Sequence, residues 1–105
     1  MIYLEKIRLQ SAEVHIDPLK NNIWTLIQKE LDESDCTEYH IFFRMEHPGE
    51  AMLTLRWDRE SFDSRGSRTA QVLVSELKKY GLVHYSAWVE GRNLLANSRT
   101  GRLAA

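Results

Sequence analysis

The sequence has little of what marks several protein classes. Cys36 is its single cysteine, so no internal disulfide can form, and this favours a reducing, cytoplasmic location. No apolar run approaches the roughly 20 residues that a transmembrane helix requires, and residues 1–10 carry charges where a signal peptide has its apolar core. Acidic and basic residues nearly balance, with a formal charge of -1, which argues against a nucleic-acid or anionic-membrane partner.

Metal and nucleotide sites also lack their usual sequence signatures. The four histidines show no short ligand spacing, and one cysteine cannot build a thiolate site. Neither the G-x-G-x-x-G string nor the P-loop string occurs. The sequence therefore predicts no metal and no cofactor.

What the sequence does contain is enough apolar patterning for one globular domain. Its 105 residues are 43% hydrophobic, and turn residues divide them into alternating segments. The pattern predicts the order β-α-β-β-α-β within residues 1–90, followed by a basic tail of weak pattern, residues 91–105, which is either disordered or draped over a partner. The predicted strands are residues 1–10, 37–45, 50–57 and 82–90, and the predicted helices run from 17 to the polar stretch 32–35 and from 68 to 80.

Three local signals refine the helices. Asp17-Pro18 is a typical helix start, and Trp24 flanks the apolar stripe of the first helix. That stripe consists of Leu19, Ile23, Leu26, Ile27 and Leu31. Asp58 is predicted to cap a short helical turn that reaches Phe62, and Gly81 suits the C′ position after the second helix.

The two middle strands each predict one apolar face and one mixed face. On the third strand, alternate positions from Ala51 to Trp57 are apolar. The fold class is therefore α+β, ferredoxin-like, with both helices on one face of a four-stranded antiparallel sheet. The other face is mixed, and we expect a second copy of the chain to cover it as a homodimer. The residues predicted for that interface are Phe42, Arg44, Met52, Arg56 and Trp88.

One string carries a family resemblance. Residues 53–62 read LTLRWDRESF, a strand that ends in Trp and is followed by Glu, a small residue and Phe. This string, at its place in the element order, resembles the antibiotic-biosynthesis monooxygenase superfamily, whose members are dimeric α+β barrels. The resemblance covers residues 1–90. It implies a pocket between sheet and helices that Trp57 lines, and cofactor-free oxygenation of phenolic or quinone-like substrates with dioxygen.

Two departures limit what the resemblance implies. The haem-degrading branch has an Asn in the first strand and a His in the second helix, and this sequence has neither. The cofactor-free members have an Asn shortly before the Trp, whereas Leu53 stands four residues before Trp57 here. Haem degradation is therefore not expected, and the mechanism of the cofactor-free members does not transfer directly.

The candidate site residues all have a structural alternative. The catalytic candidates are Trp57, Tyr39, His40 and His84, and the candidates for binding a small aromatic ligand are Trp24, Phe43, Phe62 and Leu55. The aromatic residues are equally consistent with a filled core, and the histidines with hydrogen bonds at the dimer interface. Arg44 and Arg56 are expected to form ion pairs with Glu5 or Glu50, or with the partner. The functional alternative is that these two arginines bind an anion.

Three functions compete on this sequence. The first is a cofactor-independent monooxygenase acting on a small aromatic, quinol or polyketide-like substrate. The second is a non-catalytic dimeric barrel that binds a small ligand or regulates a partner. The third, an RNA-binding domain of the same element order, is disfavoured because the third strand lacks the exposed aromatics that such domains use.

Overall fold

The predicted element order is confirmed. The computed structural model describes residues 1–11, 22–47 and 49–91. The strands are β1 (Ile2–Ser11), β2 (Glu38–Phe43), β3 (Glu50–Asp58) and β4 (Gly81–Val89), and the helices are α1 (Asn22–Glu33) and α2 (Arg68–Leu77). The start predicted for the first helix at 17–18, and the tail from 92 onward, lie outside the described residues.

The four strands form one antiparallel sheet in the order β2-β3-β1-β4. The long central strands β1 and β3 pair along their whole length, from Ile2 opposite Asp58 to Gln10 opposite Glu50. The odd-numbered side chains of both strands face the two helices and build the core. Ile7, Leu53 and Leu55 are fully buried there. The other face of the sheet, which we call the open face, carries no element of the described chain.

The third strand follows its predicted alternation, but the first helix does not follow its predicted stripe in full. Ile27 and Leu31 are buried as expected. Leu26, however, is 40% exposed, and the neighbouring Trp24 takes the core position instead. Burying a large indole stabilises the fold more than burying a leucine does. The helix is therefore rotated about its axis so that Trp24, and not Leu26, faces the sheet. Leu19 lies outside the described residues.

The predicted helical turn between β3 and α2 is wrong. Asp58 is still part of β3, and the backbone N–H of Arg59 donates to the carbonyl oxygen of Met1 at 3.0 Å. The side chain of Asp58 binds the amino terminus at 3.2 Å and does not cap a helix. The Arg59 N–H and the Asp58 carboxylate, which a helical turn would have used, are therefore bonded to residue 1 at the start of β1.

The second strand and the second helix both end earlier than predicted. β2 ends at Phe43. The Arg44 N–H donates to the carbonyl oxygen of Glu50, the Glu50 N–H donates to the carbonyl oxygen of His47 within the turn, and Met45 is 99% exposed. α2 ends at Leu77 with Lys78 as its cap, so Gly81 is not the C′ residue. Gly81 instead begins β4, in direct contact with the backbone of β1.

Gly81→Ala tests this contact. A Cβ at residue 81 would lie 2.2 Å from the carbonyl oxygen of Gln10, which cannot move without loosening the β1–β4 pairing. We expect the free energy of unfolding in urea to fall by about 1–3 kcal/mol. Gly91→Ala is the matched control, since its Cβ meets nothing within 4 Å. Equal stability of the two variants would contradict the close approach.

Candidate functional site

A glutamate lies in the core where the strand pattern calls for an apolar residue. Glu5 stands on β1 between Leu55 on β3 and Ala87 on β4. Its side chain points toward the helices, as do its strand neighbours Ile7 and Leu9, and it is fully buried. Burying a charge is costly unless hydrogen bonds replace the lost water. The surroundings of Glu5 therefore decide whether the fold is stable.

Four hydrogen bonds satisfy this carboxylate. The Trp57 indole N–H and the Ser67 hydroxyl both donate to Oε1 at 2.6 Å. The Ser67 backbone N–H donates to Oε2 at 2.8 Å, and the Tyr85 hydroxyl donates to the same oxygen at 2.6 Å. A carboxylate has about four lone-pair sites, so every acceptor position is used. We call Glu5, Trp57, Ser67 and Tyr85 the Glu5 cluster.

The start of α2 supplies the positive electrostatic environment of this cluster. Ser67 is the N-cap of α2, and its hydroxyl accepts from the backbone N–H of Ala70 at 3.0 Å while donating to Glu5. A helix N-terminus presents free N–H groups and a partial positive charge, which stabilise a nearby anion. Within the described residues no lysine or arginine pairs with Glu5. Hydrogen bonds and the helix end replace a counter-ion.

Gly66 makes room for the cluster. Its φ is +97°, a conformation that favours glycine. A Cβ at this position would lie 2.6 Å from the Tyr85 hydroxyl oxygen and 3.1 Å from Glu5 Oε2. Burial and the adjacent Glu5 carboxylate raise the pKa of Tyr85 above its usual value. The Tyr85 phenol therefore stays neutral and acts as a donor to Glu5.

Trp57 is closed off from solvent by residues of the described chain. It is 1% exposed. The Arg59 guanidinium lies 4.2 Å from the centroid of its ring, and Phe62 packs at 6.3 Å between centroids. Phe62 in turn stacks on Tyr3 at 4.9 Å. A ligand that contacts Trp57 would have to displace the Arg59 or Phe62 side chain.

Two of the three predicted proton acceptors, the histidines, lie apart from Trp57, whereas Tyr39 lies opposite Leu55 on the same face of the sheet as Trp57. The Tyr39 hydroxyl donates to Asp32, and this hydrogen bond raises the pKa of Tyr39. His40 and His84 are on the open face, so the sheet separates them from the Glu5 cluster. His40 bonds the Glu38 carboxylate at 2.7 Å, and His84 lies 3.3 Å from the Gln10 amide oxygen. The structure does not bring the four catalytic candidates together.

The predicted ligand-binding aromatics form two separate groups. Trp24 and Phe43 make an edge-to-face contact at 5.2 Å near the β2–β3 turn. Phe62 contacts Trp57 at the opposite end of β3, roughly 20 Å away at the usual rise per strand residue. Leu55 is buried between them. The Trp24 indole N–H is buried without a hydrogen-bond partner among the described residues.

All five predicted interface residues lie on the open face. Phe42 is 48% exposed and Trp88 58% exposed, and Lys6 lies 5.9 Å from the Trp88 ring centroid. Arg44 pairs with Glu50 at 3.2 Å, as expected. Two hollows mark this face, one of about 310 Å³ beside Phe42, Arg44 and Met52 and one of about 290 Å³ beside Arg56 and Trp88. The alternative pairing of these arginines with Glu5 is wrong, because Glu5 faces the core.

Glu5, Ser67 and Tyr85 were not among the site residues predicted from the sequence. Glu5 carried a signal, since it is a charged residue at an odd position between the apolar Tyr3 and Ile7. Ser67 carried a weaker one as a serine directly before a predicted helix. Tyr85 had none, because an amphipathic strand accommodates tyrosine on either face.

Solved structures of other proteins share this fold. It resembles SnoaB, a cofactor-independent oxygenase from Streptomyces nogalater, with a TM-score of 0.62 and 7% identity over 89% of this chain and 96% of that one. It resembles Rv0793 from Mycobacterium tuberculosis with a TM-score of 0.60 and 14% identity over 89% and 98%. An antibiotic biosynthesis monooxygenase matches with a TM-score of 0.58 and 11% identity over 88% and 100%.

The chain therefore has the fold of the antibiotic-biosynthesis monooxygenases, and the resemblance is confirmed at that level. No protein-family model matches the chain. A comparison with curated proteins finds no match. Among the described residues, no helix is long and apolar enough to cross a membrane, and no group of three acidic, histidine or cysteine side chains is placed to hold a metal ion.

Glu5→Gln tests the hydrogen-bond network. An amide replaces one oxygen by an NH2 group, and either orientation sets it against an N–H donor, the Trp57 indole or the Ser67 backbone. We expect the free energy of unfolding to fall by about 1–3 kcal/mol in urea denaturation. The control, Glu76→Gln, changes a partly exposed carboxylate on α2 that pairs with Lys79, and it is expected to have little effect. A Glu5→Gln protein as stable as the control would refute the network.

Proposed function

We propose that the protein is a cofactor-independent monooxygenase acting on a small aromatic, quinol or polyketide-like substrate with dioxygen. The observation that carries the proposal is Trp57, held at the end of β3 by a buried carboxylate, in a fold shared with a cofactor-independent oxygenase. The substrate, and not a cofactor, supplies the electrons that reduce dioxygen.

In this proposal the protein contributes position, dryness and a base. The substrate loses an acidic proton, and its electron-rich anion then reacts with dioxygen in a site closed to water, so that one oxygen atom stays in the product and the other leaves as water. Trp57 shapes one wall of that site, after Arg59 or Phe62 has moved to admit the substrate. Tyr39 is the base candidate on the helix side of the sheet: its oxygen takes the substrate proton as its own hydroxyl proton passes to the Asp32 carboxylate. His40 and His84 lie across the sheet from Trp57, so they are not the base for a substrate bound there.

Oxygen uptake tests the proposal. With reduced quinones or anthrone-like compounds, the protein should consume dioxygen faster than buffer alone, and Trp57→Phe should lower the rate at least about tenfold. Tyr80→Phe is the control, because Tyr80 lies after α2 and away from Trp57. Uptake at the buffer rate across the panel, by a folded protein, would refute oxygenation. Equal rates for the two variants would remove Trp57 from the site.

A second candidate function is a non-catalytic module that binds a small ligand or regulates a partner. It is favoured by the sealed state of Trp57 and by the saturation of Glu5, whose four acceptor positions leave none for a substrate proton. A ligand that raises the melting temperature and is recovered unchanged would support it. Conversion of that ligand to an oxygenated product would contradict the non-catalytic function and support the monooxygenase.

We also propose that a second copy of the chain covers the open face. Phe42, Trp88 and Leu82 are large apolar side chains that the described chain leaves exposed there. Exposed apolar area of this kind on one sheet face usually marks a contact surface. The face also carries both signs of charge, such as Lys6 and Glu38, so two copies related by a twofold axis can pair them.

Phe42→Glu tests this pairing. A charge in the centre of an apolar contact should convert a dimer into a monomer in size-exclusion chromatography with light scattering. Leu26→Glu is the matched control, because Leu26 is also partly exposed but lies on α1, across the sheet from the open face. It should leave the dimer intact. A monomeric wild-type protein, or a dimeric Phe42→Glu variant, would contradict the proposal.

A further inference from the structure

A groove separate from the open face runs between α2 and the edge strand β4. It has a volume of about 270 Å³. One face of α2 forms its wall, and the side chains along that face are spaced by four residues at Ala70, Val74 and Lys78. Tyr85 of β4 and Arg65 of the preceding loop complete it. We call this the Tyr85 groove.

The groove carries positive charge that its surroundings only partly neutralise. Arg65 makes two hydrogen bonds with Asp63, from Nε at 3.2 Å and from one terminal nitrogen at 2.9 Å. Lys78 has no ion pair within the described part of the chain. The next residue, Lys79, is different: it pairs with Glu76 at 3.0 Å and does not line the groove. Lys78 is thus the cation that an anionic ligand can reach.

Tyr85 gives the groove a fixed aromatic surface. Its hydroxyl donates to the buried Glu5 carboxylate at 2.6 Å, and Gly66 packs against the same hydroxyl. A ring held at its far end costs little further entropy when a flat ligand packs on it. Because the phenol stays neutral, it does not repel an anion at physiological pH. The apolar Val74 side chain lines the same groove.

We propose that the Tyr85 groove binds a small aromatic carboxylate, with its ring against Tyr85 and Val74 and its carboxylate at Lys78. The volume lies just under the range of about 300–1,000 Å³ that drug-sized ligands occupy, which fits a ligand of one or two rings. An aromatic ring on Tyr85 and a charge-assisted contact to Lys78 use the two kinds of group that the groove offers. The inference concerns binding alone and holds whether or not the protein oxygenates a substrate.

Calorimetric titration with 1-naphthoate tests the site. The wild-type protein should bind 1-naphthoate more tightly than the neutral 1-naphthamide, which has the same rings. Lys78→Gln should weaken naphthoate binding by up to roughly fivefold and leave naphthamide binding unchanged. Lys79→Gln removes the same charge one residue away, outside the groove, and should leave naphthoate affinity unchanged.

Three results would overturn the proposal. The first is no heat of binding at either of two temperatures with about 1 mM naphthoate, a concentration that half fills a site with a Kd of about 1 mM. The second is equal affinity for naphthoate and naphthamide. The third is an equal loss of affinity in Lys78→Gln and Lys79→Gln, which would indicate a diffuse attraction to positive surface. Ser75→Asp provides an independent check, because Ser75 is exposed and also lines the groove, so a carboxylate there should weaken naphthoate binding without disturbing the core.

Discussion

The Glu5 carboxylate joins four elements of the fold at one point. It belongs to β1 and accepts hydrogen bonds from Trp57 on β3, from Tyr85 on β4 and from Ser67 at the start of α2. An unpaired carboxylate at this depth would cost several kcal/mol, so the donors must be placed together or not at all. The approach of α2 to the sheet, the conformation of Gly66 and the orientation of the Trp57 indole all follow from this requirement.

The same network bears on function in two ways. It fixes the polar edge of Trp57, so a substrate could reach only the faces of the ring that Arg59 and Phe62 now cover. It also fixes Tyr85, whose ring forms one surface of a groove between α2 and β4. A rigid centre with movable side chains at its edge suits an enzyme that opens for substrate. It suits equally a module that binds a ligand at its surface.

Much of the fold could be predicted from alternation alone. The apolar positions of β3, from Ala51 to Trp57, identify the core face of that strand. The predictions failed where tertiary contacts outweigh local preference. Trp24 is buried where Leu26 was predicted to be, because packing favours burial of the larger side chain. Gly81 allows β4 to approach the backbone of β1 closely, and it does not end the second helix.

The candidate site was harder to predict, for a physical reason. Trp57 was identified from a local string, but its partner Glu5 is 52 residues away in the chain, and their contact depends on the completed sheet. The predicted bases were chosen by residue type. His40 and His84 lie on the face of the sheet opposite Trp57, as the alternation of their strands predicts, so neither can act on a substrate bound beside Trp57.

Hydrogen exchange of the tryptophan indole protons, followed by NMR, tests the central claim most directly. The Trp57 proton, bonded to Glu5 inside the core, should exchange only when the whole protein unfolds. The Trp88 indole is 58% exposed and should exchange much faster in the same sample. Fast exchange of both protons would mean that Trp57 is neither sealed nor held by Glu5, and the account of the cluster would fail.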